Sequence, residues 1–337
     1  MQVSVEAPNK LERRMTVTVP VATVEEAYDK RIVHLAKTVK INGYRQGKIP
    51  PHVIRERYSE TAHQEALSEV IQASLYAAIN QEKLNPAGTP IIEPINITSG
   101  QPLEFIATFE IVPVVDSVNF NVDTLEKEKL VIAETDIDAA LERLRKQFET
   151  TDKMSDEDFV KKLGIESGRL EDLISEIKKN LQREGERIVK AKLKNQLFNK
   201  LFEQNTMEVP KALIEREAKR IHDEIHPHHA GQDHGHSPAE MAVFNDSAKR
   251  NVTLGLLIGY LIKQYHIVVD PARVQTHLVQ LASIYQNPAE VITAYEKNKR
   301  AMAEIEMQVL EEQVIEKLLE NVTLTEKIVN YQELTTQ

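Results

Sequence analysis

The chain has 337 residues, more than one domain usually holds, with 41% hydrophobic and 28% charged residues, a globular composition. It has no Cys, which excludes disulfides, thiolate metal sites and cysteine nucleophiles, and no Trp, so aliphatic packing must dominate its cores. The net charge of −10 is uneven: Lys30 to Arg57 holds eight basic residues against Glu56 alone, a local +7 that leaves −17 on the remainder. An acidic body with a basic contact patch suits nucleic acid or an acidic protein surface.

In chain order, 2–8 and 11–19 alternate apolar and polar residues around Asn9 and Lys10, which predicts a hairpin of two strands. Thr23, followed by Glu25 and Glu26, is the expected N-cap of a helix whose stripe is Ala27, Ile32, Leu35, Ala36 and Val39 and whose end is Asn42-Gly43. A second helix is expected from Pro50-Pro51 to about Lys83, carrying Val53, Ile54, Ala66, Val70, Leu75 and Ile79 inward. After the breaker NPAGTP, 91–97 and 103–112 return to period two. The order β-β-α-α-β-β predicts an α+β domain over 1–112, an antiparallel sheet with two helices on one face.

Nine of the 14 prolines lie in the first 113 residues, and beyond Pro113 the chain reads as mostly helical. Val114 to Ile132 reads as an extended connector and Asp136 to Phe148 as a short helix, so 113–150 is a linker whose helix packs with the C-terminal domain. Over 151–337 an extended all-α domain with long helical hairpins is expected. One helix covers Leu170 to Glu203, with Gly185 a mid-helix blemish costing about 1 kcal/mol relative to Ala. Ser237-Pro238, Asp270-Pro271 and Asn287-Pro288 mark helix starts, the last opening a single helix to about Asn321. Val252 to Ile262 is the longest apolar run, a buried helix rather than a membrane span, and no secretory leader is read at MQVSVEAPNK.

Between the first two helices lies INGYRQGKIPP, Ile41 to Pro51, with two glycines, two prolines, an arginine, a lysine and an aromatic. Gly43 and Gly47 open backbone conformations closed to other residues, Pro50 sets the exit, and Tyr44, Arg45 and Lys48 have the composition of an interface anchor. On these residues alone the loop is either a shaped contact tip or an ordinary connection whose glycines cap the helices. It is not a phosphate loop, since Gly43-x-x-x-Gly47-Lys48-Ile49 has the wrong spacing and lacks Ser or Thr after the lysine. No nucleotide motif and no Ser-His-Asp arrangement stands out elsewhere, and no cofactor is expected.

HDEIHPHHAGQDHGH, His222 to His236, holds six of the 11 histidines. His222 and His226 are four apart on one helix face and, with His228 and His229, are candidate metal ligands; the alternative is a polar connector that binds metal incidentally. The connector is the favoured reading because proline and glycine interrupt the cluster and no ordering partners are evident. Met302 and Met307 belong either to helical cores or to an adaptable apolar binding surface.

GYRQGKIP resembles the ribosome-binding signature of the trigger factor family, Gly-Phe-Arg-x-Gly-Lys-x-Pro, with Tyr44 in the place of Phe. MQVSVE, NPAGTP, FVKKLGIESG at 159–168, LLIGYLI and the stretch 295–327 resemble further segments of that family in the same order. The resemblance implies a nucleotide-independent chaperone at the nascent-chain exit tunnel, cytoplasmic and without a membrane partner. Arg45 and Tyr44 would meet an exit-tunnel protein, Lys48 and its basic neighbours would meet ribosomal RNA, and Gly43, Gly47 and Pro50 would shape the loop. Nascent and unfolded polypeptides would be the clients, with the free form a candidate homodimer. The family usually carries an FKBP-like prolyl isomerase domain; here Phe148 to Met154 joins the flanking pieces directly, so that domain is expected to be absent between about 149 and 154 and no catalytic residue is assigned. The rival readings are an isomerase with a degenerate pocket and a ribosome-independent holdase.

Overall fold

A computed structural model describes residues 1–42, 44, 47, 49–148, 155–226 and 241–336. They form two compact units, Met1–Val114 with Met207–Thr253, and Val115–Thr206 with Leu254–Gln337.

In the first unit the strands are β1 (Gln2–Glu6), β2 (Glu12–Val19), β3 (Ile91–Asn96) and β4 (Leu103–Glu110), and the helices α1 (Val21–Thr38) and α2 (Pro51–Gln81) stand between the two strand pairs. The sheet order is β1-β2-β4-β3, antiparallel throughout, with Met15 opposite Ala107 and Val17 opposite Phe105. Alternation along β2 and β4 sends Met15, Val17, Val19, Leu103, Phe105, Ala107 and Phe109 into one core with Leu67, Val70, Leu75 and Ala78 of α2. The expected α+β arrangement is present. The first helix starts two residues before the expected cap: Pro20 holds the N-cap position, and the Thr23 N–H bonds back to the Pro20 carbonyl at 3.1 Å. A proline there supplies a preset extended entry, so no side-chain cap is needed.

Residues 207–253 belong with this unit, whereas the sequence reading placed them in one helical domain with the rest of 151–337. The reason is a second apolar cluster in which Ala87 and Val112 meet Val209, just before α6 (Lys211–Ile225), and Leu213 within it, while the Lys211 N–H donates to the Glu110 carboxylate at 2.6 Å.

The second unit contains β5 (Thr124–Leu130), α3 (Glu134–Phe148), α4 (Asp156–Lys162) and the 35-residue α5 (Leu170–Gln204). It continues with the later residues of α7 (Asn245–Gln264), then α8 (Pro271–Ala282), α9 (Pro288–Lys297), α10 (Lys299–Leu319), β6 (Thr323–Val329) and α11 (Tyr331–Thr336). Its main core joins Leu193, Leu197 and Leu201 of α5 to Leu254, Leu257 and Leu261 of α7 and to Val314 and Leu318 of α10. The apolar run 252–262 is thus a buried helix, and among the described residues no helix is long and apolar enough to cross a membrane.

Three expectations need correction. The connector 114–132 contains a strand: β5 pairs in parallel with β6, Thr124 opposite Thr323 through Leu130 opposite Val329. The single helix from Pro288 to about Asn321 is two, because the Asn298 backbone leaves the helical path at φ −97° and ψ 94°, and its side-chain oxygen accepts from the N–H groups of Arg300 and Ala301, each at 3.2 Å, capping a new start. Gly185 is not a blemish: a Cβ built there would lie 2.1 Å from Leu130 Cδ2, so the glycine lets β5 lie directly on α5. The start expected at Ser237-Pro238 lies outside the described residues. At Asp270-Pro271 the aspartate accepts from Ala272 N at 2.9 Å as expected, whereas Asn287 makes no side-chain cap bond.

Candidate functional site

The loop 41–51 rests on a small core of its own. Ile32 and Ala36 of α1, Val53, Ile54 and Ala62 of α2, and Ile41 and Ile49 at the two ends of the loop are all buried together, with Leu35, Val39 and Tyr58 packed alongside. Burying both ends of the loop fixes where its middle emerges, and each such side chain removed from water is worth on the order of 2 kcal/mol. The Val39 N–H closes α1 on the Leu35 carbonyl at 2.9 Å, and the Tyr44 N–H bonds to the Ile41 carbonyl at 3.1 Å to begin the turn. Gly47 has φ +79° with nothing near the position a Cβ would take, so it is conformation and not crowding that requires glycine there. Pro50 is the N-cap residue of α2, extended at φ −62° and ψ 138°, and Val53 N–H closes on its carbonyl at 3.1 Å. Tyr44 stands 43% exposed at the surface of this turn. Gly43, Arg45 and Lys48, the other three expected docking residues, lie outside the described residues.

The charge around the tip is smaller than the residue count suggests. Lys30 pairs with Glu26 at 2.8 Å, Arg55 with Asp29 at 2.6 Å, and Arg31 with Glu65, so three of the eight basic residues are answered by carboxylates. The hydrogen bond from Arg31 holds the Glu65 carboxyl below its ordinary range. Lys37, Lys40 and Arg57 are exposed or half-buried and have no ion-pair partner among the described residues. These three are the described cations of the 30–57 segment without a carboxylate partner among the described residues.

The histidine cluster gathers no metal site among the described residues. The ring centroids of His222 and His226 are 4.9 Å apart, but His222 is buried, packed edge-on against Phe244 and 3.4 Å from the Asp223 carboxylate. His228 and His229 lie outside the described residues.

In the second unit a second surface of interest surrounds α8 and α10. Val274, Leu278, Ile305 and Val309 form a small core, with Met302 packed against it, whereas Met307 is 53% exposed. The sequence left both methionines open between core and surface; the structure separates them. Val268, Val279, Ile284 and Tyr285, in and beside α8, are exposed as well. Sequence reasoning missed Ile284 and Tyr285, whose only signal was an apolar pair outside any helical stripe, just before Pro288. The helices here are tied by ions: Arg273 Nη1 donates to both oxygens of Glu316 at 2.9 and 2.8 Å, and Glu312 accepts from Lys190 at 2.8 Å and faces His277 Nε2 at 3.2 Å.

The family model described as bacterial trigger factor protein matches residues 1–144, and the one described as its C-terminus matches 169–320. The chain belongs to the trigger factor family. It is 33% identical to the trigger factor of Pseudomonas syringae pv. syringae over 427 aligned positions, which cover 99% of this chain and 98% of that protein. The trigger factors of Ectopseudomonas mendocina and Azotobacter vinelandii are also 33% identical with the same coverage. A solved structure of the trigger factor chaperone superposes with a TM-score of 0.59 at 14% identity, covering 95% of this chain and 99% of that one, which shows the shared fold. Because the alignment spans 427 positions and the chain has 337 residues, at least 90 positions of it stand opposite no residue here. Residues 145–168, between the two matched trigger factor segments, are too few to form a further domain. The isomerase domain that longer members carry has no counterpart in that interval.

Proposed function

We propose that the protein is a cytoplasmic, nucleotide-independent chaperone that docks beside the ribosomal exit tunnel through the loop 41–51. The observation that carries the reading is the firmly seated tip: Ile41 and Ile49 buried at its ends, Gly47 in the left-handed region, and Tyr44 exposed between them. Tyr44 and Arg45 meet an acidic site on an exit-tunnel protein, and Lys48 with Lys37, Lys40 and Arg57 meets phosphates of ribosomal RNA. Gly43, Gly47 and Pro50 give the loop its shape. The exposed apolar surface around Ile284, Tyr285 and Met307 holds emerging segments weakly and at several points, shielding them until enough sequence exists to build a core. Release needs no nucleotide, because folding of the client removes the apolar groups that were held.

The test is co-sedimentation with ribosomes of the full chain and of an R45A/K48A variant. Wild type is expected in the pellet and the variant in the supernatant; equal pelleting refutes the docking assignment. The chain is further expected to leave isomerisation of a Pro-containing peptide at its uncatalysed rate, and measurable acceleration would restore the isomerase reading.

A further inference from the structure

The same helical hairpin carries a cavity that the docking role does not use. It lies between the first turns of α1, the middle of α2 and the turn joining β3 to β4, with a volume of about 540 Å³. That is within the usual range for small-molecule sites, roughly 300–1,000 Å³. Its floor is apolar, made by the buried side chains of Val24, Leu67 and Leu103. One wall is aromatic: the Tyr28 hydroxyl is 3.0 Å from the Ser59 hydroxyl, and the Tyr28 and His63 rings stand edge to face with centroids 6.2 Å apart. The contact with Ser59 holds the Tyr28 ring in the lining, where an aromatic surface is available to a bound cation.

The charge of the lining is one-sided. Glu25 and Glu60 both line the cavity, and no Lys or Arg does, although the adjoining segment is the most basic of the chain. On the same two helices Glu26, Asp29 and Glu65 each hold a cation, whereas Glu25 and Glu60 have no hydrogen-bond or ion-pair partner among the described residues. An apolar floor, an aromatic wall and two carboxylates in the lining without a partner among the described residues match a ligand with an apolar body and a positively charged end. An anion would meet the carboxylates unfavourably, and a purely apolar molecule would leave them unanswered.

We propose that this cavity binds an organic ammonium or guanidinium group carried on an aromatic or aliphatic body, either as a free amine or as part of a peptide. The body fills the floor over Val24, Leu67 and Leu103, and the cation lies against the Tyr28 face between Glu25 and Glu60. The inference is independent of ribosome docking, because none of its residues belongs to the loop 41–51.

The experiment titrates the full ¹⁵N-labelled chain with tyramine, with N-acetyl-leucyl-arginine amide, and with 4-propylphenol as the neutral analogue of tyramine, following backbone amide shifts. At least one cationic probe is expected to bind at millimolar concentration or below, with shifts confined to the amides around residues 24–28, 59–64 and 97–103. The neutral analogue should bind about tenfold more weakly, and E25Q/E60Q should weaken the cation by about tenfold while leaving the remaining spectrum in place. Preference for tyramine identifies a free amine as the ligand, and preference for the dipeptide identifies a peptide. Three results overturn the proposal: no saturable shift with either cation, equal binding of 4-propylphenol, or unchanged affinity in E25Q/E60Q.

Discussion

Replacing Gly185 with alanine sets helix propensity directly against packing. Gly185 lies in the middle of α5, where propensity alone makes the alanine variant more stable by about 1 kcal/mol. The structure predicts the opposite sign. The new methyl carbon would lie 2.1 Å from Leu130 Cδ2 and 3.4 Å from Leu334 Cδ2, and Leu130, Leu334, Val189 and Val329 form one cluster. Turning Leu130 aside or lifting β5 from α5 costs about 1–3 kcal/mol, as overpacking generally does. With the propensity gain subtracted, the expected net loss is up to about 2 kcal/mol. Urea denaturation followed by circular dichroism should show a lower midpoint at unchanged slope. A double-mutant cycle locates the cause: in the Gly185→Ala background, Leu130→Ala should cost at least about 1 kcal/mol less than in wild type, since it removes the clashing atom. A G185A protein more stable than wild type, or strictly additive mutations, would refute the argument that Leu130 requires the glycine.

Three further outcomes are expected from other contacts. The buried Asp136 carboxylate accepts from the N–H groups of Ala133, Tyr331 and Gln332 at 2.9, 3.2 and 3.3 Å, so Asp136→Ala should cost about 2–3 kcal/mol and accelerate amide exchange in 331–336; unchanged exchange there would sink the idea. Burial raises the Glu312 carboxyl pKa, but the hydrogen bonds from Lys190 and His277 and the charges of both outweigh it and hold the group below 4.5. A depressed folded pKa stabilises above the unfolded value and is lost as pH falls from 4.5 through the folded one, so E312Q should flatten the acid limb of the stability curve, and an unchanged limb would show that the pair contributes nothing. If Lys37, Lys40 and Arg57 meet RNA phosphates, changing all three to Gln should reduce the salt dependence of ribosome binding by about two to three units of slope, whereas K30Q and R55Q should leave it nearly unaltered. Equal effects from the paired and the unpaired residues would remove the distinction.

The N-terminal architecture was legible because its signals are local: alternation in 11–19 and 103–112, two apolar stripes, and glycine and proline at the junctions. The tip was legible for the same reason, since the sequence places Gly47 and Pro50 where backbone conformation alone demands them. What escaped depends on distant partners. Nothing in TLEKEKL or TLTEKIV announces that the two lie side by side, because two parallel strands on one helix need only a few apolar side chains each. Asn298 reads as one more polar residue in a long stripe, and only its extended backbone and capping side chain show that the stripe is two helices. The basic patch was overread in magnitude because the acids answering Lys30, Arg31 and Arg55 are neighbours in space and were not counted with the basic run.

The parallel pairing of Thr124–Leu130 with Thr323–Val329 has a consequence for the birth of the protein itself. Translation delivers roughly 5–20 residues per second, so about 10–40 s separate the emergence of the two strands. During that time the earlier strand has no partner and offers an open edge to any other extended chain. Its sequence meets this exposure with alternating charges, Glu126, Lys127, Glu128 and Lys129, the kind of residues that discourage pairing with strangers. A member of the trigger factor family thus passes through a long unfinished stage of its own, protected in part by the lysines and glutamates of one short strand.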